Sequence, residues 1–173
     1  MSYNTLGLRV GHSAGDKVRR LVVDKLLEEC DILCLQETWL PKQDLERLNT
    51  LHANFHGVGE STTDLRDKIA HGRIPGGVAI LWNSKYDPLV TVVRLDVNWA
   101  IGIEIKYENR SFIIVNIYTP YESYENEDEY RNRMAFVNAF IKDNATTCLY
   151  VVGDLNADIS DDVSVWQMFT AFL

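Results

Sequence analysis

The sequence has few of the residues that usually betray a chemistry. Its 173 residues include three cysteines, four prolines and four histidines. Cys30, Cys34 and Cys148 are an odd number without zinc-type spacing, which argues against a disulfide framework or a zinc knuckle. Cys34 and Cys148 lie in apolar, strand-like runs and are expected to be buried free thiols, as suits a reducing compartment. No apolar run approaches the roughly 18 residues that span a bilayer, so no membrane partner is expected. The stretch Met1 to Val10 lacks the basic start and apolar core of a secretory signal, which favours an intracellular protein. A basic excess is missing too. The formal net charge is -8, against the basic footprint common in nucleic-acid binders. Internal repeats, low-complexity tracts and linkers are also absent.

What is present is a globular composition, 46% hydrophobic and 10% aromatic, in a length that suits one domain with a substantial core. Charge is uneven along it. Glu122 to Tyr130 is acidic without a base, which reads as a solvated loop or helix start. Arg66, Lys68, His71 and Arg73 cluster against one acid, Asp67, and this segment reads either as a solvated loop or as an anion-binding rim.

Residues 2–9 suggest a short strand and a turn at Gly7. Asp16 to Glu29 has Val18, Leu21, Val22 and Leu26 at helical spacing, which predicts a helix with these residues on its buried face. Asp31 to Gln36 is a short apolar run that suits a buried strand. Strand, helix, strand in succession implies a crossover between neighbouring strands. A second helix is expected over Asp44 to Leu51, and a long polar loop from His56 to Gly76. Strands follow at 77–83, 90–95, 100–107 and 111–118, with a turn at Asp87-Pro88 and a hairpin turn at 108–110. Tyr130 to Lys142 reads as a helix with Met134, Val137, Phe140 and Ile141 on one face. Cys148 to Val152 is a strand, and 163–173 a further helix. The expected fold class is mixed α/β (α+β), a two-sheet β-sandwich flanked by helices. The apolar end Ala171-Phe172-Leu173 is expected to be a point where the chain stops inside a larger fold.

Four strand ends carry polar groups: Asn4; Gln36-Glu37-Thr38; Asn116-Ile117-Tyr118-Thr119-Pro120; and Gly153-Asp154-Leu155-Asn156. Oxygen ligands and hydrogen-bond donors at a sheet rim can hold a hard cation beside a phosphate. Each alone is equally an ordinary feature: Asn and Asp in turns, Glu37 as a surface charge, Tyr118 as a core aromatic.

Taken in order, Asn4 to Arg9, Leu35-Gln36-Glu37-Thr38, Asn116 to Pro120 and Gly153 to Ala157 resemble the successive motifs of the endonuclease/exonuclease/phosphatase superfamily. The segment His71 to Trp82 resembles the apurinic-endonuclease-like domain of non-LTR (LINE-type) retrotransposons. The resemblance runs from Tyr3 to the end of the chain. It implies a DNase I-like fold, incomplete at the C-terminus, and a Mg²⁺-dependent DNA endonuclease, with Mn²⁺ as the substitute ion. Under it, Glu37 is the main protein ligand of the metal. Asn4 holds the metal-bound phosphate or water network. Tyr118 donates to a phosphate oxygen. Asp154, also near the metal, orients or deprotonates the attacking water, and Asn156 stabilises the pentavalent phosphate. Arg66, Lys68, His71 and Arg73 would touch the DNA backbone. The implied partners are DNA and a reverse transcriptase C-terminal to this domain in a full polyprotein. The implied place of action is the nucleus.

This sequence departs from the pattern twice. Leu6 stands where apurinic endonucleases usually carry an acid, which weakens abasic-site specificity. The family's closing Ser-Asp-His motif does not occur, and His12, His52, His56 and His71 lie upstream in other contexts. The chain is therefore expected to be a fragment or a naturally shortened copy of such a domain, weak or inactive by itself. Two other readings stand beside the nuclease: a phosphatase or phosphodiesterase of the same superfamily on lipids, sugars or RNA tails, and a non-catalytic remnant that binds metal or a protein partner.

Overall fold

The computed structural model describes residues 1–8, 14–65, 76–121, 123, 125–145 and 147–156. The chain divides into a unit of Met1–Tyr118 with Thr147–Asp154, and a unit of Thr119–Thr146 with Leu155–Leu173.

The first unit is a sandwich of two four-stranded sheets. One holds β1 (Ser2–Asn4), β2 (Ile32–Gln36), β3 (Phe55–Glu60) and β4 (Val78–Asn83), in spatial order β1-β2-β4-β3. The other holds β5 (Val90–Val93), β6 (Ala100–Tyr107), β7 (Arg110–Tyr118) and β8 (Cys148–Asp154), in that order. Both sheets are mixed. β1 runs parallel to β2 and β8 parallel to β7, while the other pairs are antiparallel. The expected crossover is there: α1 (Ala14–Glu29) joins the parallel pair β1 and β2.

The strands are explained by burial on two faces. On β2 and β4, Cys34, Val78, Ile80 and Trp82 point inward and pack with Ile101 and Ile103 of β6. Their alternate neighbours Leu33, Leu35, Ala79 and Leu81 point outward, where Val23 and Leu27 of α1 and Leu48 and Leu51 cover them. A strand buried on both faces must be apolar at every position, and Ile-Leu-Cys-Leu and Val-Ala-Ile-Leu-Trp meet that demand.

Some expectations need correction. Val18 and Leu21 are exposed, at 58% and 67%. The buried face of α1 is the adjacent stripe through Val23 and Leu27. Cys148 is exposed, unlike Cys34, because it begins the edge strand β8. The His56–Gly76 segment is not all loop, since β3 runs to Glu60 and pairs with β4. Its pattern is broken by Gly57 and Gly59, which a 3-10 helix over Lys42–Thr50 approaches closely: a Cβ on Gly57 would sit 3.1 Å from the Leu48 Cβ. That 3-10 helix is the helix expected over 44–51, and a second, Ser84–Leu89, replaces the simple turn at Asp87-Pro88.

The second unit contains α2 (Glu127–Asp143). Glu127, Asp128 and Glu129 occupy its first turn, where the exposed backbone N–H groups and the helix dipole favour negative charge. The last three acids of the acidic run, Glu127, Asp128 and Glu129, thus start a helix. Tyr130, Met134 and Val137 are buried on one face. The helix expected over 163–173 lies outside the described residues.

Candidate metal and phosphate site

β1, β2, β7 and β8 all deliver their C-terminal ends to one rim of the sandwich. β1 and β2 pair in parallel with Asn4 beside Gln36, and β7 and β8 pair in parallel with Tyr118 beside Asp154. This topology gathers residues separated by 150 positions. Asn4 Nδ2 donates to Glu37 Oε1 at 3.0 Å and to Asp154 Oδ2 at 2.8 Å. One carboxamide thus links two carboxylates from different sheets. Tyr118 donates its hydroxyl to the same Glu37 Oε1 at 3.4 Å. Asn4 Oδ1 accepts from the backbone N–H of Leu6 at 3.1 Å, so its carbonyl side is turned away and its NH₂ toward the acids.

Glu37 is held in an unusual backbone conformation, with φ of 50°, and Trp39 has φ of 54°. Left-handed conformations cost a non-glycine residue about 1–2 kcal/mol, so neighbours must enforce them. The segment 5–8 continues alongside 36–38. Gly7 N–H donates to the Glu37 carbonyl and Leu8 N–H to the Thr38 carbonyl, each at 2.8 Å. The Thr5 hydroxyl donates to the carbonyls of Gln36 and Glu37 at 3.1 and 2.9 Å. From the other side, Thr38 and Trp39 donate their N–H groups to Gly77 and Gly76. Gly7 lies against the Trp39 ring so closely that a Cβ there would be 2.3 Å from Cε3. Gly153, just before Asp154, has φ of 140°, and a Cβ on it would meet the Ile117 carbonyl oxygen at 2.0 Å. Only glycine lets β8 bring Asp154 this near to β7.

Beneath the rim, two buried carboxamides tie the sheets together. Gln36 Nε2 donates to Asn116 Oδ1 at 2.6 Å, and Asn116 Nδ2 donates to the carbonyls of Leu35 and Ala79 at 2.8 and 2.9 Å. Gln36 is 2% exposed and Asn116 fully buried. Buried amides left unpaired cost about 1–3 kcal/mol each, so this satisfied network fixes the strands that carry Glu37 and Tyr118.

Of the residues expected in the site, the structure brings Asn4, Glu37, Tyr118 and Asp154 together. Asn156 belongs to the second unit, where its Nδ2 donates to the Thr119 carbonyl at 2.9 Å. Arg66, Lys68, His71 and Arg73 lie outside the described residues. Sequence reasoning missed Trp39, whose Nε1–H donates to Glu37 Oε2 at 3.1 Å, and the Gln36–Asn116 bridge. An indole two residues after a rim carboxylate was a readable signal for the first. The second needed the pairing of two sheets.

The donor set suits a hard divalent cation. Glu37 and Asp154 offer carboxylate oxygens, and the Asn4, Trp39 and Tyr118 donors orient them. Mg²⁺ is usually bound through one or two carboxylates, completed by waters and phosphate oxygens. Among the described residues no group of three or more His, Cys, Asp or Glu that could hold a metal ion gathers.

The sequence profile described as Endonuclease/Exonuclease/phosphatase family matches residues 1–169. No curated protein sequence matches the chain. Among solved structures, the chain is similar to the human Nocturnin catalytic domain with bound sulfate, at 19% identity and a TM-score of 0.64, covering 98% of this chain and 66% of that one. It is similar to TDP2 of D. rerio complexed with single-strand DNA product, at 16% identity and a TM-score of 0.64, covering 97% and 63%. It is also similar to the endonuclease domain of TRAS1, a telomere-specific non-LTR retrotransposon, at 13% identity and a TM-score of 0.58, covering 98% and 66%. At these identities the likeness is one of fold. The chain spans about two thirds of the length of these structures.

Proposed function

The chain belongs to the endonuclease/exonuclease/phosphatase family, whose members hydrolyse phosphate esters. From that premise we propose that it is part of a Mg²⁺-dependent DNA endonuclease that nicks target DNA for retrotransposition. The observation that carries the reading is the Asn4 carboxamide shared between Glu37 and Asp154, with Tyr118 on the same Glu37 oxygen. DNA as substrate is supported by the single-strand DNA product bound to the D. rerio neighbour and by the retrotransposon origin of TRAS1. We place its action in the nucleus, with a reverse transcriptase as its partner in the same polyprotein.

In this reading Glu37, with Asp154 nearby, holds the cation. Once bound, Mg²⁺ (or Mn²⁺) would neutralise charge on the phosphate and act as a Lewis acid. Asn4 gives its two N–H groups to the two carboxylates, keeps them in register and through them holds the metal-bound phosphate or water network. Tyr118 donates to a phosphate oxygen. Asp154 orients the attacking water and accepts its proton, and Asn156 stabilises charge on the pentavalent phosphate. Phosphodiester hydrolysis asks for this alignment and neutralisation more than for covalent chemistry.

The test is nicking of supercoiled plasmid with and without Mg²⁺, alongside a panel of inositol phosphates and oligoadenylate. Metal-dependent nicking that Glu37→Gln and Asp154→Asn abolish is the expected result. Turnover of another phosphate ester with no nicking would reassign the substrate. Because the Ser-Asp-His motif does not occur in these residues, slow turnover is expected, and a Mg²⁺ titration of thermal stability accompanies the assay. Absence of any Mg²⁺-dependent shift would favour the remnant reading.

A further inference from the structure

Glu37 is gripped asymmetrically. Oε1 faces Asn4 and Tyr118, and through Asn4 it is linked to Asp154. Oε2 accepts from the Trp39 indole N–H at 3.1 Å. The indole has little freedom to move away. Its backbone is left-handed, its N–H is tied to the Gly76 carbonyl, and Gly7 packs flat on its ring. On this ring also sits Arg19, whose guanidinium carbon is 5.7 Å from the centroid and whose Nη1 is paired with Asp16 at 3.2 Å. A cation over an indole face is attractive. It also draws electron density from the ring and strengthens the N–H as a donor. Asp16, Arg19, Trp39 and Glu37 thus form a chain that ends on one carboxylate oxygen.

We propose that Trp39 is a cation-selectivity residue: by holding Oε2, it restricts Glu37 to coordination through one oxygen. The inference rests on the reading of Glu37 as a metal ligand and adds which cation the site takes. Ca²⁺ prefers six to eight oxygens and readily uses both oxygens of a carboxylate, whereas Mg²⁺ demands near-octahedral geometry, with single carboxylate oxygens and several waters. A carboxylate with one oxygen committed to a fixed indole therefore disfavours Ca²⁺ and leaves Mg²⁺ or Mn²⁺ suited. Partners that orient a ligand from behind typically govern metal affinity by about 10–100-fold.

The test is binding, independent of turnover. Mn²⁺ bound to the protein is followed by electron paramagnetic resonance and displaced with Mg²⁺ or Ca²⁺. Trp39→Phe keeps a ring against Gly7 and deletes the N–H. It is expected to shift the Mg²⁺-to-Ca²⁺ affinity ratio toward Ca²⁺ by about tenfold. Arg19→Gln leaves the indole in place and is expected to move the ratio the same way by less. A Trp39→Phe ratio equal to that of the wild type overturns the inference. Should Trp39→Phe not fold, Arg19→Gln decides on the same criterion. If the wild type binds no Mn²⁺, the metal-site reading itself falls and the inference with it. Wild-type binding with unchanged ratios in the variants sinks the selectivity role alone.

Discussion

β2 has a carboxylate just beyond each end, Asp31 before it and Glu37 after it, and the two are treated in opposite ways. Asp31 faces solvent with its side chain 51% exposed. It is paired with Lys85 at 2.6 Å and accepts from the Tyr86 hydroxyl at 3.0 Å. Beside it, Asp87 accepts from the Trp82 indole at 2.8 Å and pairs with His56 at 2.8 Å. Glu37 is 8% exposed, and its donors above are a carboxamide, an indole and a phenol. At the Asp31 end, the Lys85 ammonium is paired with the acid, and such exposed pairs add little to stability. At the Glu37 end, the carboxamide, indole and phenol hold the carboxylate in one orientation. The same motif, a carboxylate at a strand end, is an exposed ion pair in one place and a buried, hydrogen-bonded carboxylate in the other, which the proposed function reads as a metal ligand.

The comparison breaks most visibly by removing one charge at each end. Glu37→Gln is expected to lower Mn²⁺ affinity by at least about a hundredfold, the upper end of what outer-shell changes do, while Asp31→Asn leaves it unchanged. Equal losses in both would mean that the cation is drawn by general charge. Next in size is folding stability. Asn116→Ala removes one partner of the Gln36 amide, which keeps Ser2, and the side-chain donor to two backbone carbonyls, and urea unfolding should show a loss of about 1–3 kcal/mol. Lys85→Met, at the exposed end, should leave the urea midpoint where it is.

A smaller effect is the pH dependence of the exposed end. The Trp82 N–H, with His56 adding to it, holds the Asp87 carboxyl below its ordinary value of 3.8. A carboxyl lowered on folding stabilises the fold at pH above its unfolded value, and this is lost as pH falls through the folded one. The stability difference between wild type and Asp87→Asn should therefore be constant near neutrality and shrink in acid below 3.8. A difference that grows in acid would contradict the assigned bonds. The smallest effect probes the middle of β2. Burial pushes the Cys34 thiol up to about 12, so a thiol reagent at mildly alkaline pH should label exposed Cys148 first and spare Cys34 until the protein unfolds.

Much of the fold was legible because buried strands leave apolar runs: β2 and β4 are buried on both faces, and β6, β7 and the edge strand β8 carry shorter apolar runs. β3 was not, because Gly57 and Gly59 replace the apolar signal where a helix comes close. The buried side of α1 was not either. Val18 and Leu21 repeat as regularly as Val23 and Leu27, and periodicity gives a stripe without saying which stripe meets a sheet. Asn4, Glu37, Tyr118 and Asp154 were legible as polar groups ending strands.

The sequence alone determined the chemical types at the rim, since carboxylates, carboxamides and a phenol at strand ends are written in it. It also determined the strand positions that carry them, through local hydrophobic pattern. Only tertiary structure decided that Asn4 bridges Glu37 and Asp154 across 150 residues, that Asn116 fastens one sheet to the other, and that Trp39 turns back onto Glu37. Those contacts depend on which strands pair in parallel and on left-handed turns that neighbours impose, and neither leaves a trace in local periodicity.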